Sequence, residues 1–369
     1  MAARLTSRWW FLPLVIFGLS RLVSTIMLLA AAWAQGANYW TGPHPDYFSF
    51  LNIWDVEWYH RIYSGGYPVA PPEGQNAWAF LPLFPLLVNL TLLPWAVAAP
   101  LLATAFGLGF ALIAYRLFLE LLEDKAKACW ALAFTLFWVA SPVLQAGYAE
   151  SLQLFGIALA LLAYLRRRDF PLCLALVIVA FSRPGVLAFA ATFGLVWLVE
   201  FWRNRRFAWR EFWLAGASTL LGFAWPWIAA VVTGKPDTYL KTELAWRAGY
   251  AETDRFIPFN GLVTGFQNSL GTYFGILVLA IVVVVAVLLF RRMELGFAGM
   301  FAASYLLYLA ATIYPQSSTW RLVMPAFVLF GAVRLEGWRR WLLIGCLTAG
   351  QIVWIATCWM YSAPDFTPP

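Results

Sequence analysis

Long uninterrupted apolar runs constrain this chain more than any other feature. Stretches such as 10–34 and 97–120 exceed the ~18 residues that mark a membrane-crossing helix, and runs of this kind recur along the 369 residues. Only 12% of the residues are charged and 62% are apolar, about half the charged share of an ordinary soluble domain. No soluble-looking block larger than a loop lies between the runs. The sequence therefore predicts one integral membrane domain over 1–369, an all-α polytopic protein.

The N-terminal "MAARLTSRWW" has the basic flank of a signal peptide. The apolar stretch from Trp9 to Ala34 outruns the ~7 to 15 residues of a signal core, which predicts an uncleaved anchor. Cys129, Cys173, Cys346 and Cys358 all sit inside apolar runs without metal-type spacing, as small packing residues do. A net charge of +7 raises the question of nucleic acid, but the basic residues form short blocks between apolar runs, the pattern that orients helices in a membrane. The expectation is membrane lipid and no nucleic acid.

Those blocks are Arg4 and Arg8, Lys125 and Lys127, Arg166 to Arg168, Arg203 to Arg210, Arg291 and Arg292, and Arg334 with Arg339 and Arg340. Placing all of them on the cytoplasmic side gives eleven spans, near 10–34, 97–120, 128–141, 149–165, 170–182, 185–201, 211–232, 271–290, 295–313, 321–336 and 341–360. The proline-punctuated stretch 79–94 then reads as a re-entrant or interfacial helix. The exoplasmic face receives a long first loop, 35–79, a second large loop, 233–270, and the turns 141–151, 182–185 and 314–321. No glycine-rich phosphate loop, zinc spacing or nucleotide domain occurs in the sequence.

The polar residues that need explaining converge on that face. If 52–64 forms a short surface helix, Trp54, Trp58, Arg61 and Ile62 share one docking face, and Asp55 lies on the side of Tyr59, pointing into a cavity or else capping the helix. Arg183 interrupts an apolar region between two cytoplasmic arginine blocks. An arginine at that depth costs ~2.5 to 3.5 kcal/mol and calls for an anion, either Glu150 or a lipid phosphate. Arg321 is a second candidate phosphate clamp or a snorkelling interfacial residue. Glu150 stands in "GYAES" beside Tyr148 and Ser151, at the lip of a span. Glu57 and His60 are secondary candidates in the first loop. Arg21, ~18 Å into the first span, must face the protein interior in a structural or ligand role.

The motifs "WDVEWYHRIYSGGY", "AFLPLFPLL", "AGYAESLQLF" and "SRPGVL" resemble, in order and spacing over about residues 50–190, the PIG-V family of GPI mannosyltransferases and its bacterial relatives. Ala149 stands for the first serine of the family's Ser-Glu-Ser element, Ser182 for its Thr-Arg-Pro threonine, Tyr63 for an alanine and Leu81 for a phenylalanine. The resemblance implies a GT-C-type helix bundle in a bacterial plasma membrane, with its site on the exoplasmic face. It implies transfer of a mannosyl residue from a polyprenyl (dolichyl) phosphate donor to a glycolipid or glycan acceptor, without a cofactor and with a divalent metal left open. By position Asp55, Glu150, Ser151 and Arg183 match the family's motif residues, and the roles expected are Asp55 as general base, Arg183 with Arg321 on the donor phosphate, and Glu150, Tyr148, Ser151, Trp54 and Tyr59 orienting the substrates. A GT-C enzyme using another polyprenyl-linked sugar, and a lipid or sugar transporter without chemistry, are the alternatives.

Overall fold

The computed structural model describes residues 8–71, 73–246, 256–264, 284, 295–315 and 318–361. Among them every regular element is helical. In chain order these are α1 (Phe11–Ala34), α2 (Tyr47–Leu51), α3 (Val56–Gly65), α4 (Leu83–Leu90), α5 (Trp95–Leu122), α6 (Lys125–Leu136), α7 (Glu150–Leu165), α8 (Asp169–Ser182) and α9 (Val186–Arg203). They continue as α10 (Trp209–Thr233), α11 (Thr238–Ala245), α12 (Gly296–Thr312), α13 (Thr319–Leu322) and α14 (Trp338–Trp354), the last prolonged by a π turn, Ile355–Trp359.

Among the described residues five helices are long and apolar enough to cross a bilayer: α1, α5, α9, α10 and α14 with its π turn. Their outward faces carry residues such as Ile26, Leu220 and Trp227, which lie exposed. An apolar outer face of this kind supports a membrane-embedded helical protein. α7, α8 and α12 are apolar but shorter, at 16, 14 and 17 residues. The expected span at 271–290 lies outside the described residues.

Two of the eleven expected spans take another form. At 128–141 the helix α6 stops at Leu136, and Pro142, which brings no N–H, opens a short 3₁₀ turn, Ser141–Gln145. The carbonyls released there are met by Arg21, whose guanidinium donates to Leu136 O at 3.1 Å and Ser141 O at 2.6 Å. Arg21 thus faces the interior as expected, and its observed role is to close a broken helix. At 321–336 the chain makes only the four-residue α13 and then a nine-residue 3₁₀ stretch, Met324–Ala332, with Pro325 at its start. Irregular backbone at membrane depth needs protein around it, and Met324, Pro325, Ala326, Phe327 and Val328 are all buried.

Segment 79–94 holds a single eight-residue helix, α4, of ~12 Å, too short to cross. Asp46 and Asp124 explain where α2 and α6 begin, since each carboxylate accepts from two backbone N–H groups of the first turn. The centre of the bundle is α5 against α7 and α7 against α8. Small residues allow the approach: Ala103, Gly107, Ala111 and Ala114 form a buried stripe on α5, and a Cβ on Gly156 would stand 2.9 Å from Ile178 of α8.

Candidate active site

At the end of the bundle where α7 and α9 begin, side chains from four separate segments meet around a cavity of about 350 Å³. That size lies in the range of small-molecule sites, about 300 to 1,000 Å³.

The first segment reaches it through backbone geometry. Trp54 has a φ of 63°, a left-handed conformation that costs a bulky residue about 1 to 2 kcal/mol. Its indole donates to Trp359 O at 2.6 Å, and Trp359 in turn donates to Phe50 O at 3.1 Å, so the C-terminal π turn holds the bend. Asp55 follows at the N-cap position of α3, yet its side chain caps nothing. Its backbone N–H donates to the Tyr148 hydroxyl at 3.2 Å, and its carboxylate turns toward the cavity.

The buried face of α3 is Val56, Tyr59 and Ile62. The expected docking face differs from this because Arg61 is exposed, lying over the Trp58 ring at 4.6 Å and pairing with Glu57. Tyr59 does share the cavity with Asp55, and burial raises its phenol well above the usual range, so that it stays a neutral hydroxyl.

The second and third segments place Glu150 and Arg183. Glu150 is the first residue of α7 and is almost wholly buried. Arg183 ends α8 in extended backbone, φ −156° and ψ 156°, as the residue before a proline prefers. Gly185, with a φ of 147°, lets the chain reverse into α9. Gln153 of α7 fixes this turn by donating to Pro184 O at 3.0 Å.

The fourth segment is α13, which delivers Arg321 from 171 residues beyond Glu150 and 266 beyond Asp55. Its Nη2 lies 2.5 Å from Asp55 Oδ2 and its Nη1 2.7 Å from Glu150 Oε1. The same Glu150 Oε1 accepts from Arg183 Nη1 at 2.8 Å. Two carboxylates and two guanidiniums therefore form one neutral chain, Asp55, Arg321, Glu150, Arg183, resting on the Tyr148 ring 5.0 Å from the Arg321 guanidinium carbon. A neutral, hydrogen-bonded set is the form in which buried charge is tolerated. Arg321 spends both terminal nitrogens on carboxylates, whereas Arg183 has, among the described residues, a single carboxylate partner and lines the cavity.

Asp55, Tyr59, Arg183 and Arg321 thus share the cavity wall, with Glu150 and Tyr148 directly behind it. Besides Arg21, four other candidates lie elsewhere. Ser151 is fully buried and donates to Leu144 O at 3.3 Å. Trp54 holds the backbone bend. Glu57 accepts from the Trp40 indole at 2.8 Å, and His60 packs on Trp95 and Tyr63. Burial lowers the His60 imidazole, keeping it neutral.

The wall also includes Tyr305, Tyr239, Glu243, Trp246 and Ser318, which sequence reasoning passed over. Ser318 lies in the expected turn 314–321, and the other four carry no local signal apart from their aromatic or acidic type. No family model matches this chain, and no curated protein matches it.

Proposed function

We propose that the protein is a membrane glycosyltransferase that moves a mannosyl residue from a polyprenyl-phosphate donor to a hydroxyl of a glycolipid or glycan acceptor. The observation that carries the reading is that Asp55 and Arg183, 128 positions apart in unrelated motifs, line one cavity and are joined through Arg321 and Glu150. A lipid-phosphate sugar needs an oxygen base for the incoming hydroxyl and a fixed cation for the departing phosphate. This chain holds one of each, in contact through two bridging residues.

In the proposed reaction the acceptor hydroxyl gives its proton to the Asp55 carboxylate as its oxygen attacks the mannosyl C1. The bond from C1 to the phosphate oxygen breaks, and its electron pair leaves with the polyprenyl phosphate. Arg183 faces the charge that develops there. Configuration at C1 inverts. Arg321 acts first as the clamp that orients Asp55, and Glu150 sets the spacing of the two guanidiniums.

The test is to incubate the purified protein with radiolabelled polyprenyl-phosphate mannose and a membrane lipid extract. A labelled glycolipid is the expected result. Movement of label across vesicles without a new product overturns the reading in favour of transport.

A further inference from the structure

Trp54 is a bulky residue held at a φ of 63° directly before the proposed base. Backbone of that kind persists only where its surroundings over-determine it, and it gathers at active sites. One group that holds it stands 305 positions further along the chain.

The π turn Ile355–Trp359 leaves carbonyls outside the helical ladder, as every helix end does. Trp359 O is one of these, and it accepts the Trp54 indole N–H at 2.6 Å. The Trp359 indole donates in turn to Phe50 O, in the last turn of α2, at 3.1 Å. Phe50 and Trp54 bracket the short link from α2 to α3, so Trp359 grips that link on both sides.

A second arm reaches Asp55 from behind. The Trp359 ring packs on the Tyr148 ring at 5.5 Å. Tyr148 accepts the Asp55 backbone N–H at 3.2 Å, and its ring supports the Arg321 guanidinium that pairs with the Asp55 carboxylate. The turn is itself anchored on α1, because Gln35 donates to Tyr361 O at 3.0 Å and accepts from the Tyr361 N–H at 2.9 Å. Arg183 is held separately, by Glu150 and by the turn that Gln153 fixes.

We propose that Trp359, 1% exposed and outside the cavity wall, is a positioning residue for Asp55. Through Trp54 and Tyr148 it fixes where the Asp55 carboxylate stands when the acceptor hydroxyl gives up its proton. The catalytic part of this inference rests on the transfer reading above. A clasp that only closed the bundle would affect donor binding and turnover together, whereas a positioning residue acts on turnover and acts through Asp55.

Transfer by the full-length protein in lipid nanodiscs is measured with radiolabelled polyprenyl-phosphate mannose and a membrane lipid extract, and amide hydrogen exchange over 52–58 is followed in the same preparations. Trp359→Phe keeps a ring and loses the N–H. Trp54→Phe removes the donor to the Trp359 carbonyl and serves as the second variant if the first does not fold. Each is expected to lower kcat about 10- to 100-fold, up to the effect of a misplacement of about 1 Å. The donor KM is expected to stay unchanged, exchange over 52–58 to quicken, and the residual turnover of Asp55→Asn to fall no further when the variants are combined. An unchanged kcat, a donor KM that rises as kcat falls, or a loss repeated in full on Asp55→Asn overturns the positioning role and leaves the transfer reading standing. A wild type that forms no labelled glycolipid overturns the transfer reading instead. Exchange then decides the remainder: quickened exchange over 52–58 upholds the grip of Trp359 on Asp55, and unchanged exchange removes it.

Discussion

Asp55 and Glu150 are both buried carboxylates held by arginines, and they differ in what their removal leaves behind. Replacing Glu150 with glutamine deprives Arg183 and Arg321 of their shared anion, and stranding a buried charge costs about 3 to 5 kcal/mol. We therefore expect Glu150→Gln to lower the thermal unfolding temperature in detergent clearly. Asp55→Asn leaves Arg321 paired with Glu150, so its effect on unfolding is expected to be smaller. Its effect on transfer is expected to be a loss of about 100- to 10,000-fold, the contribution of a positioned base. Retained turnover in Asp55→Asn ends the base assignment. Arg183→Ala is expected to raise the KM for the lipid-phosphate donor, and an unchanged donor KM removes the clamp. Glu150 and Arg183 could be singled out in the sequence because a charge in an apolar stretch is costly and so conspicuous, whereas Asp55 stands among Glu57, His60 and Arg61 and was set apart by the resemblance of its motif. The union of Arg321 with Asp55 could not, since nothing local ties residues 266 positions apart.

At the scale of elements, the site depends on two glycines that act through space. Gly185 turns the chain after Arg183 at a φ that favours glycine, and a Cβ there would stand 3.1 Å from Gln153 Nε2 and 3.2 Å from Tyr305. Gly156 lets α7 lie against α8. Gly156→Leu forces those helices apart, at a cost of about 1 to 3 kcal/mol for overpacking. Because Glu150 opens α7 and Arg183 closes α8, the ion pair between them should loosen with the helices. We expect a lower unfolding temperature together with a raised donor KM, whereas a stability loss with unchanged KM would separate the interface from the site. The long helices were readable from apolar length alone. The 3₁₀ stretch Met324–Ala332 was not, because its apolar run reads like a helix and only packing decides the winding, although Pro325 marked the break. The stop of α6 escaped for a related reason: its free carbonyls are met by Arg21 on another helix.

The molecule as a whole has two unlike ends. α7 runs ~24 Å from Glu150 to the exposed Arg166, Arg167 and Arg168, and α9 runs ~27 Å from the Gly185 turn to the exposed Arg203, Arg205 and Arg206. α14 runs the other way, from Arg339 and Arg340 to the π turn whose Trp359 carbonyl takes the Trp54 indole. These three basic blocks thus lie at one end and the neutral ion-pair chain at the other. Basic residues remain on the cytoplasmic side of a bilayer, so the proposed outward opening of the cavity predicts opposite labelling of the two ends. Cysteine labelling checks this directly. Single cysteines are placed at Tyr39, 74% exposed in the first loop, and at Arg205, in a chain whose four native cysteines are replaced by serine. A membrane-impermeant maleimide added to intact cells should label Tyr39→Cys at once and Arg205→Cys only after permeabilisation. Labelling of both from outside would break the charge argument, and the reverse pattern would turn the cavity toward the cytoplasm and require a donor on that side.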